Sequence, residues 1–199
     1  MTKIKICGLT RPCDIDAVNF AMPDYIGFVF ANSRRRVSPG QAMELRKRLN
    51  KEITPVGVFV DETIEHVLSL IQYGVIEVIQ LHGAEDEGYI QRLKEMTDKP
   101  IIKAIAVNKS GSVQKWAGTC ADYILLDNKN GGTGQTFDWG LIGEADKPCF
   151  LAGGLNAANV KRAIIETDPF AVDVSSGVEE NGLKDFAKIN EFIRSIRHG

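Results

Sequence analysis

The chain has 199 residues, 44% hydrophobic and 25% charged, with a formal net charge of −2. This is the balance of an ordinary globular protein, and it leaves no electrostatic footprint for nucleic acid or an anionic membrane; Arg34-Arg35-Arg36 is too short for a nucleic-acid tail. No apolar run reaches the roughly 18 residues of a membrane span, and the N-terminus lacks signal-peptide architecture.

Cys7, Cys13, Cys120 and Cys149 form no CxxC pair, and no histidine stands near a cysteine. Neither a metal site nor a disulfide framework is therefore expected, and a reducing, cytoplasmic setting is.

Eight short strands are predicted, each followed by a helix-compatible segment. Lys3–Cys7 alternates strictly, with Ile4 and Ile6 on one face and Lys3, Lys5 and Cys7 on the other. A helix is expected over Asp14–Ala21, then a strand over Tyr25–Phe30. Ser38 as N-cap and Pro39 at the first helical position open a helix over Pro39–Asn50. The strand Thr54–Val60 leads to a helix over Thr63–Tyr73, with Ile64, Val67, Leu68 and Ile71 at helical spacing. Ile76–Leu81 precedes a helix over Glu85–Thr97, and Ile101–Ala106 a short one over Ser110–Ala117. The last three pairs are Asp122–Asp127 with Phe137–Ile142, Pro148–Ala152 with Asn156–Glu166, and Phe170–Val174 with Leu183–Arg197.

This alternation calls for a parallel sheet with right-handed crossovers, and eight such units are the number that closes a (β/α)8 TIM barrel. The rival, a doubly wound open sheet, usually has fewer strands, and its dinucleotide-binding form wants GxGxxG after the first strand, which is absent. No linker or composition break interrupts the chain, so residues 1–199 read as one compact α/β barrel domain.

In such a barrel the C-terminal strand ends gather around one mouth. Those ends carry Cys7, Gln80, His82, Asp127, Gly153-Gly154 and Asp173–Gly177. Backbone N–H groups of Gly153-Gly154 and of Ser175-Ser176-Gly177, after strands seven and eight, suit a phosphate, and the serines could add hydroxyl donors. Gly132 and Gly134 belong to a further glycine-rich segment after strand six, read as a mobile loop.

Cys7 and Asp127 could supply a base and an acid for proton transfer. A thiol titrates near about 8.5, so Cys7 needs positive charge nearby to ionise at neutral pH; Lys5 on the same face is one source, a bound substrate another. Taken alone, Cys7 reads more readily as a small buried hydrophobe, and Asp127 or His82 equally as a loop or capping residue. One of Arg34, Arg35 and Arg36 facing inward would clamp a carboxylate in bidentate fashion, while the others form a solvated basic loop.

Lys5-Ile6-Cys7-Gly8-Leu9-Thr10-Arg11, Val78-Ile79-Gln80-Leu81-His82-Gly83, Ala152-Gly153-Gly154-Leu155-Asn156 and Asp173-Val174-Ser175-Ser176-Gly177-Val178-Glu179 closely resemble the phosphoribosylanthranilate isomerase family. The resemblance implies an Amadori rearrangement of N-(5-phosphoribosyl)anthranilate in tryptophan biosynthesis, without metal or organic cofactor. It implies Asp127 as general acid, Cys7 as general base and Arg35 for the anthranilate carboxylate. It further implies His82 as a substrate contact and phosphate on Gly153, Gly154, Ser175, Ser176 and Gly177.

The expected partner is that small-molecule phosphosugar, to a monomer or homodimer. Asp61 departs from the family's common Asn and is expected to alter polarity at the mouth, and Ala21–Tyr25 departs on the far face. The alternatives are a non-catalytic phosphoribosyl-ligand sensor, which has no need of an acid–base pair, and another phosphosugar barrel enzyme. An epimerase would want metal ligands at strand ends, and an indole-glycerol-phosphate synthase-like enzyme a Lys–Glu set.

Overall fold

Strands that are apolar on both faces must lie side by side beneath a layer of helices. In the computed structural model, which describes residues 1–128, 137–142 and 145–197, they do. β1 (Lys3–Cys7), β2 (Tyr25–Val29), β3 (Thr54–Phe59), β4 (Val78–Leu81), β5 (Ile101–Ala106), β6 (Tyr123–Asp127), β7 (Cys149–Leu151) and β8 (Ala171–Val174) pair parallel in chain order. β8 returns to β1, with Asp173 opposite Lys5, and closes the sheet. The fold is the (β/α)8 barrel predicted from the alternation.

Around it lie α1 (Pro12–Ala21), α2 (Pro39–Arg48), α3 (Ile64–Gln72), α4 (Glu87–Met96), α5 (Val160–Thr167) and α6 (Phe186–Arg197). The Ser38 hydroxyl accepts the Gln41 N–H at 3.2 Å while the Gln41 side chain accepts the Ser38 N–H at 2.8 Å, a capping box that starts α2 behind the loop carrying the arginines.

Alternation along the strands divides the apolar residues into two buried clusters. Ile4, Ile6, Phe28, Ile79, Leu126 and Val172 belong to the layer between sheet and helices, whereas Val56, Val78, Ile102, Leu125, Phe150 and Ala171 fill the lumen. Tyr25, Tyr123 and Phe170 pack on the Phe150 ring at centroid distances of 5.5, 5.6 and 5.6 Å. All four rings come from strand starts, so one end of the lumen is filled with aromatic side chains and the chemistry is left to the other.

Four helix predictions need correction. Ser110–Ala117 and Phe137–Ile142 each form only one 3-10 turn, Gln114–Trp116 and Trp139–Leu141; both segments are too short to build a helical stripe, and each contains a glycine. The helix predicted from Asn156 begins at Val160. Asn159 Oδ1 accepts the Asn156 N–H and Asn156 Oδ1 accepts the Ala158 N–H, both at 2.9 Å, and these side-chain bonds hold a turn instead.

The helix predicted from Leu183 begins at Phe186. Ahead of it β9 (Glu179–Glu180) and β10 (Leu183–Lys184) pair antiparallel around Asn181-Gly182. These two residues have φ of +51° and +80°, the left-handed values that a tight hairpin requires and that Asn-Gly adopts readily.

Candidate active site

The C-terminal strand ends enclose a cavity of about 470 Å³. Cys7, Arg35, His82, Asp127, Gly153, Gly154, Ser175 and Ser176 line it, joined by Gln80 and Asp173. Gly177 does not line it. A Cβ there would sit 1.9 Å from the Leu155 carbonyl oxygen, so this glycine allows the loops after β7 and β8 to touch. Gly132 and Gly134 lie outside the described residues.

Cys7 ends β1 opposite Gly27 of β2, where a Cβ would stand 2.6 Å from the thiol sulfur. The glycine makes room for the side chain of Cys7. One layer below, Lys5 is fully buried and its Nζ donates to Asp173 Oδ2 at 2.9 Å. Burial alone would lower the Lys5 pKa, but Asp173 and Cys7 outweigh it and hold the ammonium above its ordinary range. Burial pushes the Cys7 thiol up, and Asp173 adds to this against the opposing pull of Lys5 and Lys184.

Lys5 therefore does not make Cys7 a resting thiolate, because its charge is already shared with Asp173. If Cys7 is the base, the activity left in Asp127→Asn, whose side chain no longer titrates, should climb about tenfold per pH unit from about pH 7 to pH 8.5, since only the thiolate removes a proton and its fraction grows at that rate below the pKa. A profile flat across that window in this variant would show a thiol ionised before substrate arrives.

Asp127 ends β6, buried, with Oδ1 accepting the Asn128 N–H at 2.8 Å. Its Oδ2 stands 3.5 Å from His82 Nε2, while His82 Nδ1 is 2.9 Å from the Gln80 amide nitrogen. With the Gln80 amide so oriented, Nδ1 accepts and a neutral ring carries its proton on Nε2, towards the carboxylate. Gly153 is pressed against the same carboxyl: a Cβ there would be 3.1 Å from Asp127 Oδ1.

The His82 loop rests on ionic groups that the sequence reading missed. Glu85 accepts the Asp61 and Gly83 N–H groups, both at 2.9 Å, and pairs with the buried Lys103 at 2.8 Å. Asp61, expected to alter the mouth, lies outside the lining and instead accepts the Ala84 N–H at 2.6 Å.

Of the three arginines only Arg35 lines the cavity. Gly8 makes this possible, since a Cβ there would lie 2.4 Å from Arg35 Cδ. Glu179 occupies one edge of this guanidinium. Arg35 Nε donates to Glu179 Oε1 at 2.6 Å and Nη2 to Oε2 at 3.0 Å, leaving Nη1 without a partner among the described residues. Arg34, more exposed, donates to the same Oε2 at 2.8 Å. Burial would raise the Glu179 carboxyl pKa, but the bonds from Arg35 and Lys184 more than offset it and hold the group below its ordinary range.

The loops after β7 and β8 differ in what they offer. Gly153 and Gly154 have φ of +83° and +67°, so the backbone after β7 follows a path that a side chain would strain. Ser175 Oγ donates its hydrogen to the Cys7 carbonyl at 3.0 Å and receives one from Lys184 Nζ at 3.2 Å. Its hydroxyl is thus held within the protein, between β1 and the β9–β10 pair. Among the described residues no group of three or more His, Cys, Asp or Glu side chains is arranged to hold a metal ion, and no helix is long and apolar enough to cross a membrane.

A family model described as N-(5'phosphoribosyl)anthranilate (PRA) isomerase matches residues 4–195. The chain belongs to this isomerase family. A family member from Endomicrobium trichonymphae is 46% identical over 202 residues, covering 99% of each chain. The crystal structure of phosphoribosyl anthranilate isomerase from Thermotoga maritima superposes with a TM-score of 0.91 at 36% identity over 100% of both chains. Another solved isomerase of this family, in complex with reduced 1-(o-carboxyphenylamino)-1-deoxyribulose 5-phosphate, gives 0.88 at 35% identity, again over 100% of both. The family membership drawn from the motifs holds, and the epimerase and synthase readings fall away.

Proposed function

We propose that this chain isomerises N-(5-phosphoribosyl)anthranilate to 1-(2-carboxyphenylamino)-1-deoxyribulose 5-phosphate in tryptophan biosynthesis, with Asp127 as acid and Cys7 as base. The supporting observation is that Cys7, Asp127, Arg35 and the Gly153-Gly154 turn line one cavity in a chain of this family. The Asp127 carboxyl gives its proton to the ribose ring oxygen. The C1–O bond breaks as the anilino nitrogen lone pair forms a C=N bond, and the resulting iminium acidifies the neighbouring C2–H. Cys7 removes that proton, the C–H electron pair forms the C1=C2 bond of an enolamine as the C=N pair returns to nitrogen, and C1 then takes up a proton while the C2 hydroxyl releases one to leave the ketone. His82 Nε2–H, 3.5 Å from Asp127 Oδ2, is oriented to stabilise the carboxylate that remains after the first step.

Arg35 Nη1 receives the anthranilate carboxylate, and the backbone after β7 and β8 receives the phosphate. The relative solved with reduced 1-(o-carboxyphenylamino)-1-deoxyribulose 5-phosphate supports a ligand with both groups. In this reading the enzyme works in the cytoplasm as a monomer or homodimer, on a free small molecule.

Purified protein should extinguish the fluorescence of phosphoribosylanthranilate in a catalytic, first-order manner. Binding of a phosphosugar with no turnover would favour a sensor instead. Arg35→Ala should raise KM about 30-fold with a much smaller change in kcat, because a charge-assisted contact made equally in ground and transition states is lost. A fall confined to kcat would remove Arg35 from the carboxylate subsite.

A further inference from the structure

Glu179 is an unusual neighbour for an arginine that is to meet a carboxylate, since it competes for the same donors. Yet it is deeply placed, with its side chain 5% exposed, and three cations converge on it: Arg35, Arg34 and Lys184 Nζ, the last at 2.7 Å. One carboxylate against three cations leaves the rim positive, so Glu179 does not cancel the attraction for an anionic ligand. Its effect is geometric. Two parallel bonds fix the plane of the Arg35 guanidinium, and its far end, Nη1 with the second Nη2 hydrogen, is left to a ligand.

Lys184, its side chain 2% exposed, also donates to the Ser175 carbonyl at 2.9 Å, and Ser175 Oγ reaches the Cys7 carbonyl. Glu179 and Lys184 face each other across the β9–β10 pair, held there by the Asn181-Gly182 turn.

We propose that this hairpin is a positioning element for substrate recognition: Glu179, backed by Lys184, holds Arg35 edge-on to the cavity so that Nη1 meets the substrate's aromatic carboxylate. The inference rests on the function proposed above and deepens it. An arginine fixed before binding loses little side-chain freedom when the ligand arrives, and a carboxylate on a rigid ring needs its partner at one fixed position. Glu179 touches no ligand in this scheme and acts through Arg35.

The test is a double-mutant cycle in the phosphoribosylanthranilate assay. Glu179→Gln should raise KM about tenfold and leave kcat within about twofold, because the misplaced guanidinium weakens binding without touching the acid or base. Inhibition by inorganic phosphate, which has no aromatic carboxylate, should stay unchanged. In an Arg35→Ala background the same change should add nothing further, as residues acting through one contact are not additive. A KM effect that persists without Arg35, or a loss of kcat at constant KM, would overturn the proposal. Should Glu179→Gln fail to fold, Glu179→Asp, which keeps the charge but retracts it, completes the cycle with the same two readings. Absence of turnover in the wild-type chain would count against the reaction itself. Wild-type turnover with an unaltered Glu179→Gln would count against the hairpin alone.

Discussion

Asp127→Asn should lower kcat about 1000-fold, or ~4 kcal/mol of barrier, while changing KM little. The substitution keeps the size of the side chain and an oxygen to accept the Asn128 N–H now bound at 2.8 Å. What disappears is the transferable proton, and with it the means of opening the ribose ring. An amide nitrogen facing His82 Nε2, in place of an oxygen 3.5 Å away, would also set donor against donor. Single-turnover kinetics with saturating enzyme separate the chemical step from binding. A kcat within threefold of wild type would take the acid's role away from Asp127, and an unchanged melting temperature would show that the fold was not the cause.

Cys7→Ser should be nearly as severe, again about 1000-fold in kcat, although only sulfur is exchanged for oxygen. A hydroxyl is far less acidic than a thiol, so the fraction of usable base at neutral pH collapses. Steric strain does not enter, because the space above Gly27 that admits sulfur admits the smaller oxygen. The pH dependence distinguishes this from a packing effect: added to Asp127→Asn, the serine should abolish the alkaline rise expected of that variant. If the rise survives in the double variant, the titrating group is another residue and Cys7 is structural.

The barrel could be read from the sequence because each strand is a run of Ile, Val, Leu and Phe long enough to show its own period, and eight of them recur in order. The candidate site could be read for the same reason, since a residue at the end of such a run must face the mouth. Cys7, Asp127 and Gly153 are cases of this. What the sequence did not reveal lay in elements too short to have a period. β9 and β10 are two residues each, and Leu183-Lys184 fits the helical pattern that follows, so the hairpin was absorbed into the last helix. Asn181-Gly182 was the available signal, and giving it more weight would have separated Glu179 and Lys184 from that helix. Side chains brought together only by closure were equally hidden. Lys5 and Asp173 are 168 positions apart, and the Ser175 hydroxyl is committed by Lys184, a contact that depends on the hairpin.

The Lys5–Asp173 pair also bears on the order of assembly. It straddles the seam at which the last strand meets the first. In a seven-stranded precursor the Lys5 ammonium lacks its Asp173 partner and must keep its water, which opposes collapse of the apolar residues around it. Docking of β8 supplies the counter-charge and permits drying of the interior in the same event. Depriving one member of such a buried pair of its partner costs about 3–5 kcal/mol, enough to disfavour incomplete barrels strongly. The seam thus makes the completed circle, and not the open sheet, the first state in which this lumen can be both dry and electrically balanced.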